Sequence, residues 1–152
     1  MSQSQYHLFT IPKNYIPKLS KLTNEWDKYD DNCYRNNINI EKDVIYSIIN
    51  CQPNLKNCNI DNYTTHYIKY NITEKYTIDE HVDSSDITII VYLNKDENIR
   101  ETFYVNNINT KHNWRNNKYK YHSLIMWNNP KHKGTITGSG KRNILCFFIN
   151  LK

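Results

Sequence analysis

The spacing of apolar and polar residues changes along the chain, and the change separates an N-terminal part from a larger C-terminal part. Between residues 15 and 28, apolar side chains recur at spacings of three and four, which predicts an amphipathic helix ending near the polar cluster at 30–32. Residues 41–50 repeat this pattern and predict a second helix. The apolar faces consist of Ile16, Leu19, Leu22 and Trp26 in the first helix and of Val44, Ile45, Ile48 and Ile49 in the second. Before them, residues 6–12 predict a short strand that Pro12 terminates.

After about residue 60 the pattern becomes that of short β-strands. The run from Ile87 to Leu93 is almost continuously apolar, which predicts a strand buried on both faces. Many short strands at regular spacing indicate a sandwich or barrel. The predicted strands cover residues 63–70, 76–81, 87–93, 103–105, 123–127, 135–137 and 143–151.

These elements together predict a mainly β fold, a jelly roll with two N-terminal helices packed against it. A length of 152 residues suits one domain with one core. We therefore expect a single domain over residues 1–152, with a helical buttress at about 13–50 and the jelly-roll core at about 60–151.

Composition and charge indicate the cellular compartment of the protein more clearly than any reaction that it catalyses. The formal net charge is +5, but the lysines are scattered, which favours a solvated, mildly basic surface over a nucleic-acid-binding arm. None of the four cysteines forms a C-x-x-C pair, so we expect free thiols and no structural zinc site.

Residues 1–13 contain no apolar leader, and no segment approaches a membrane span, which predicts an intracellular protein, cytoplasmic or nuclear. The abundance of Asn and Lys is typical of an AT-rich genome, such as that of a large DNA virus or a protist.

The motif His81-Val82-Asp83 is the strongest chemical signal in the sequence. Residues i and i+2 at the end of a strand point to the same face, so an imidazole and a carboxylate can converge on one cation. A third ligand would complete a two-histidine, one-carboxylate facial triad, which leaves adjacent coordination positions open. Taken alone, an H-x-D sequence also fits an exposed turn.

Downstream residues supply candidates for the rest of such a site. His132 precedes Arg142 by ten positions, and a hairpin between two strands would bring both into one pocket. A buried guanidinium needs an anionic partner, which a carboxylate-bearing co-substrate could supply in bidentate form. His122 is the alternative distal histidine, but only His132 has the arginine at this spacing. The remaining histidines, His7, His66 and His112, are more typical of surface or packing positions.

The sequence resembles the iron(II)- and 2-oxoglutarate-dependent oxygenases, most closely their prolyl-hydroxylase-like branch. The resemblance spans roughly residues 63–151 and comprises His81-Val82-Asp83, the strand ending Tyr92-Leu93-Asn94, and His132 followed by Arg142. It implies a double-stranded β-helix fold and hydroxylation of a C–H bond, most readily on a protein or peptide substrate. Fe(II), 2-oxoglutarate and O₂ are the implied cofactor and co-substrates, with ascorbate as a candidate accessory reductant.

The resemblance also implies residue roles. His81, Asp83 and His132 would bind Fe(II), and Arg142 would pair with the distal carboxylate of 2-oxoglutarate. Tyr92 stands where similar enzymes place a tyrosine that bonds the same carboxylate. Tyr70 lies near the position of a second such tyrosine, although ordinary packing is nearly as good an explanation for it.

Departures from the family pattern leave the substrate open. Arg100-Glu101-Thr102-Phe103 stands in place of a Gly-Gly-Glu-Leu-like turn, and Cys146 stands where oxygen-sensing members carry a threonine. Three alternatives therefore remain beside a protein hydroxylase. They are an oxidative demethylase of nucleic acid, a jelly-roll binding module without catalysis, and a metal isomerase of the same fold that would not need Arg142. Trp114 and Tyr119 fit either a substrate groove or a loop anchor, and residues 106–118 are a candidate lid.

Overall fold

Two antiparallel β-sheets make up most of the protein, in a computed structural model that describes residues 5–17 and 26–152. One α-helix, α1 (Lys42–Ile49), occurs in the described ranges, together with two single-turn 3₁₀ segments at Lys13–Tyr15 and Pro53–Leu55. The strands are β1 (Tyr6–Pro12), β2 (Asp27–Asp30), β3 (Cys33–Ile38), β4 (Ile60–Ile72), β5 (Lys75–His81), β6 (Ile87–Lys95), β7 (Arg100–Val105), β8 (Ile108–Asn109), β9 (Lys120–Trp127), β10 (His132–Thr137) and β11 (Gly140–Leu151).

The two sheets form a jelly-roll-like sandwich. The larger sheet has seven strands in the order β1-β9-β6-β11-β4-β3-β2, and the smaller has four in the order β5-β10-β7-β8. Apolar residues from both sheets belong to one buried cluster, which includes Phe103 and Ile136 from the smaller sheet and Leu124 and Ile144 from the larger. This cluster fills the space between the sheets, as expected for two packed β layers. The predicted mainly β, jelly-roll-like fold is confirmed.

A second buried cluster covers the outer face of the larger sheet. In β6, Ile87, Ile89 and Val91 pack with the apolar face of α1, while Ile90 and Tyr92 point between the sheets. Side chains of successive strand residues alternate between faces, so β6 must be apolar on both sides to lie between two cores. Every residue from 87 to 93 is buried, as the continuous apolar run predicted.

Of the two predicted N-terminal helices, the second is present, and the first is wrong at both of its ends. The helix at 41–50 is confirmed as α1, with Ile45, Ile48 and Ile49 buried. The helix predicted at 15–28 lies partly outside the described residues, because 18–25 are not described. Its two ends are not α-helical: a 3₁₀ turn ends at Tyr15, and residues 27–30 form β2.

Strands replace helix in part of the predicted buttress, because β3 pairs along its whole length with β4 and extends the larger sheet. The polar hairpin formed by β2 and β3 has little apolar periodicity of its own, and its strand conformation depends on this long-range pairing.

Among the described residues, no helix has the length and apolar character that a membrane span requires.

Candidate metal centre

The three residues of the predicted triad meet at one end of the sandwich. His132 is the first residue of β10, and its backbone lies opposite His81, the last residue of β5, in the antiparallel pair. Asp83 follows β5 by two residues. The smaller sheet therefore supplies both imidazoles from adjacent strands, and the turn that leaves β5 supplies the carboxylate.

The side chains of these residues are close enough to share one cation. His81 Nε2 lies 3.4 Å from Asp83 Oδ1, and His132 Nε2 lies 3.4 Å from Asp83 Oδ2. One ligand atom from each residue falls within 4.8 Å of the others, and the imidazole centroids are 4.2 Å apart. Two imidazoles and one carboxylate match the donor set of a non-haem Fe(II) facial triad. The structure places His132, and not His122, at this position.

Hydrogen bonds fix the orientation of all three side chains. Nδ1 of His81 lies 2.8 Å from the carbonyl oxygen of Asp79, and Nδ1 of His132 lies 3.0 Å from that of Pro130. A protonated Nδ1 that donates to a carbonyl leaves Nε2 unprotonated and able to bind a metal. The Thr88 hydroxyl donates to Asp83 Oδ2 over 2.7 Å. The sequence interpretation had no role for Thr88, although its alternation with Ile90 and Tyr92 indicates an inward-facing side chain.

Electrostatics within the cluster favour the charged carboxylate. Burial, the largest single influence, would raise the pKa of Asp83, but the interactions with His132, Thr88 and His81 together outweigh burial and lower it below the usual range. Burial, again the largest single influence, would lower the pKa of His132, but the interactions with Asp83 and with the Pro130 carbonyl together raise it. The side chain of His132 is only 5% exposed, whereas that of His81 is 46% exposed. One side of the cluster is therefore enclosed by protein, and the other is open to solvent.

Arg142 reaches the space between the sheets by a route that differs from the predicted hairpin. His132 and Arg142 belong to different sheets, because β10 pairs with β5 and β7, and β11 pairs with β4 and β6. The turn between them crosses from one sheet to the other at Gly138 and Gly140, whose φ angles of 113° and 135° favour glycine. The Asp96 carboxylate accepts the backbone N–H of Lys141 over 2.7 Å, which ties the start of β11 to the end of β6.

The buried guanidinium of Arg142 has a protein partner that the sequence interpretation did not identify. Arg142 Nε donates to Glu101 Oε2 over 2.5 Å, and Nη2 donates to Oε1 over 3.1 Å. Burial would raise the pKa of Glu101, but the guanidinium holds it below its ordinary value. The alternation of Glu101 with the inward-facing Phe103 and Val105 is the sequence signal that could have revealed this residue. A co-substrate is therefore not required to neutralise Arg142.

Both predicted tyrosines pack against Arg142. Its Cζ lies 4.8 Å from the ring centroid of Tyr70 and 5.6 Å from that of Tyr92. Burial raises the pKa of both phenols, so both are neutral. The thiol of Cys146 follows on the same inward face of β11, within electrostatic range of both Asp83 and Arg142, and burial raises its pKa to about 12. A neutral thiol thus lies in the interior that connects the triad with the arginine.

A group of buried polar atoms surrounds the Tyr92 ring without hydrogen-bond partners in the described residues. The His112 and Trp114 ring centroids lie 4.7 Å and 5.0 Å from that of Tyr92. The unpaired atoms are Arg142 Nη1, Tyr92 Oη and His112 Nδ1. All three can carry a hydrogen to donate, and each buried donor left unpaired costs on the order of 1–3 kcal/mol. Such a set of donors fits an acceptor-rich group such as a carboxylate.

The segment 106–118, for which the sequence left a lid open, is anchored to the sandwich. Trp114 is only 1% exposed and packs in the core between the sheets, so it is a loop anchor. The Thr110 hydroxyl donates to the carbonyl oxygen of Phe103 over 3.0 Å. Tyr119, in contrast, is 70% exposed.

Protonation of His112 should weaken the fold in mild acid. Burial lowers the pKa of His112 from 6.5 to about 4, against the attraction of Glu101, while His122, Arg142 and Lys95 add to the shift. The unfolded chain therefore binds this proton first as the pH falls. The contribution of neutral His112 to the free energy of unfolding is fully present above about pH 6.5. It falls by about 3 kcal/mol as the pH drops from about 6.5 to about 4.

Urea unfolding of His112→Asn at pH 7 and pH 4.5 will check this, with replacement of the exposed His7 by asparagine as control. The His112 variant should lose less stability on acidification than the wild-type protein, and the His7 variant should lose as much. An equal loss in all three proteins would contradict the assignment.

Comparison with known proteins supports the fold. No protein-family model and no curated protein matches this sequence. Among solved structures, KdgF from a Halomonas species superimposes with a TM-score of 0.52 at 7% identity, over 86% of this chain and 93% of that one. A prolyl hydroxylase from Trichoplax adhaerens, in complex with a hypoxia inducible factor peptide fragment, gives a TM-score of 0.49 at 15% identity, over 78% and 62%. A bsmA homologue from Methylobium petroleophilum gives 0.42 at 12% identity, over 58% and 40%. The likeness to KdgF establishes a shared fold and no more.

Proposed function

We propose that the protein is an Fe(II)- and 2-oxoglutarate-dependent dioxygenase that hydroxylates a C–H bond on a protein side chain. The observation that carries the proposal is the convergence of His81, Asp83 and His132, with one ligand atom of each within 4.8 Å of the others. This donor set, on a jelly-roll-like sandwich, leaves coordination positions for a bidentate co-substrate and for O₂. The family resemblance of residues 63–151 supplies the identity of the co-substrate.

The chain's own groups fit Fe(II). Both histidines direct Nδ1 at a backbone carbonyl, so Nε2 is the ligand atom, and Thr88 holds the carboxylate of Asp83. When bound, Fe(II) would supply the oxidative chemistry, coupling decarboxylation of 2-oxoglutarate to hydroxylation of the substrate. The protein's part is to orient the ligands and to exclude water on the buried side of His132.

The interior around Arg142 fits the distal carboxylate of 2-oxoglutarate. Glu101 occupies the Nε and Nη2 side of the guanidinium and leaves Nη1 unpaired. The hydroxyl of Tyr92, whose ring centroid lies 5.6 Å from Arg142 Cζ, is unpaired as well. The distal carboxylate would accept a charge-assisted hydrogen bond from Nη1, the guanidinium nitrogen that Glu101 leaves unpaired. Tyr70 would contribute packing to the guanidinium.

The open side of the triad suits a macromolecular substrate. His81 is 46% exposed at its side chain, and the adjacent Val82 is 47% exposed. A substrate can therefore approach from the His81 side, whereas His132 faces the interior. A protein or peptide side chain is the favoured substrate, and nucleic acid is the alternative that the net charge of +5 keeps open.

The pairing of Arg142 with Glu101 favours a second candidate, a metal-dependent jelly-roll protein that does not use 2-oxoglutarate. In that case the ion pair is purely structural, and the triad binds a metal for another reaction or for binding alone. The two candidates differ in whether 2-oxoglutarate is consumed.

Turnover of 2-oxoglutarate will decide between them. The purified protein, supplied with Fe(II), ascorbate, 2-oxoglutarate and peptide or oligonucleotide arrays, should form succinate, and Asp83→Ala should form none. Mass spectrometry should find an oxygen added to peptides and not to oligonucleotides. Intact metal binding without succinate in any mixture would reject the oxygenase in favour of the second candidate.

A further inference from the structure

A cavity of about 350 Å³ lies at the Arg142 end of the sandwich, where β6 ends and β7 begins. Its walls come from that turn and from the anchored segment around Trp114. We call it the basic pocket, and its lining is Lys95, Glu97, Arg100, Asn113, Trp114, Arg115 and Asn116. Its volume is within the range of small-molecule sites.

Positive charge dominates the basic pocket. Lys95, Arg100 and Arg115 contribute three cations against one carboxylate, that of Glu97. In the part of the chain that the structure describes, none of the three cations forms an ion pair. Arg100 Nη1 donates to the carbonyl oxygens of Glu97 and Ile99, which orient the guanidinium without neutralising it.

Lys95 is the strongest sign that a ligand belongs in the pocket. The residue is only 8% exposed, yet its Nζ has no partner within the described ranges beyond the face of the Trp114 ring, 4.5 Å from the centroid. Burial lowers its pKa, and the nearby arginines act in the same direction against Glu101. An ammonium with little access to water, and with no anionic partner, gains from pairing with an anion.

The position of Lys95 is held by the opposite wall. The Asn116 side chain accepts the backbone N–H of Lys95 over 3.0 Å and donates to its carbonyl oxygen over 2.7 Å. Both walls are thus joined before any ligand binds, which lowers the entropy cost of binding.

We propose that the basic pocket is a binding site for a small anionic ligand, which it holds through a carboxylate or phosphate group. Lys95 contacts the anion from the buried side, and the guanidinium groups of Arg100 and Arg115 contact it from the open side. Ammonium and guanidinium groups are the usual ligands of such anions. The site is separate from the metal centre and stands whether or not 2-oxoglutarate is the co-substrate.

Calorimetric titration of the full chain with inorganic phosphate and with propane-1,2,3-tricarboxylate will test this, in chelator and at constant ionic strength. We expect saturable binding of at least one anion, and the preferred one identifies the ligand group. Arg115→Gln should weaken it by about tenfold or more, the loss of one charge-assisted hydrogen bond. Lys118→Gln, which removes a cation from the same segment outside the pocket, should change it less than about twofold.

Lys95→Met provides a second variant that keeps the apolar stem and removes the ammonium, and it should abolish binding while circular dichroism stays unchanged. The proposal is wrong if neither anion binds saturably, if potassium chloride has the same effect, or if Arg115→Gln and Lys118→Gln are indistinguishable.

Discussion

Replacing Asp83 by alanine should abolish tight binding of Fe(II) or of Mn(II), its redox-stable substitute. Asp83 supplies the single carboxylate of the cluster and lies 3.4 Å from the Nε2 atoms of both His81 and His132. Without it, two neutral imidazoles remain, and neither offsets the charge of a divalent cation. Equilibrium dialysis with Mn(II) will measure the loss. The metal-dependent rise in melting temperature should vanish as well, since a ligand at 1,000 times its Kd stabilises by about 4 kcal/mol.

Two variants refine this experiment. Replacing His122 by alanine removes a histidine that lies beside His112, outside the cluster, and should leave Mn(II) binding unchanged. Thr88→Val removes only the hydrogen bond that orients Asp83, and should weaken binding by about 10–100-fold, as loss of an outer hydrogen bond to a metal ligand does. Retention of wild-type affinity in Asp83→Ala, or its loss in His122→Ala, would disprove the assignment of the triad.

The parts of this arrangement that depend on local sequence could be predicted. The apolar run of β6 required burial on both faces, and the 3.6-residue spacing of Ile45, Ile48 and Ile49 required a helix with one buried face. His81 and Asp83 needed only a strand end to converge. His132 could be selected over His122 only through the family resemblance and its spacing from Arg142, because nothing local distinguishes two histidines near strand termini.

The parts of the fold and of the site that depend on long-range strand pairing could not be predicted from the sequence. Residues 27–38 are rich in Asp and Asn and show no strand periodicity, and they become β2 and β3 because β4 offers a free edge. Glu101 and Arg142 are 41 residues apart, and their bond depends on which strands the turn at 138–140 connects. The expected hairpin was a reasonable inference from spacing, but β11 instead joins the opposite sheet.

The ion pair of Glu101 and Arg142 should be the most sensitive polar interaction in the interior. Both side chains are almost fully buried, at 5% and 4% exposed, so removing one partner leaves an uncompensated charge between the sheets. We expect Glu101→Ala to lower the free energy of unfolding by about 3–5 kcal/mol. Glu101→Gln, which keeps one acceptor for the guanidinium, should cost less. Urea unfolding will measure both, with Glu97→Ala, a truncation at an exposed site, expected within about 0.5 kcal/mol of wild type.

The double replacement of Glu101 and Arg142 by methionine separates folding from co-substrate binding. Removing both charges at once restores packing without an unpaired ion, so the double variant should recover most of the stability that Glu101→Ala loses. A single change at Arg142 cannot make this distinction, because it leaves the Glu101 carboxylate buried alone. If Arg142 binds 2-oxoglutarate, the inert analogue N-oxalylglycine with Mn(II) should raise the melting temperature of the wild-type protein and not that of the double variant, which still binds Mn(II). Equal protection of both proteins would show that the guanidinium has only a structural role and that any 2-oxo acid at the metal is held by other groups.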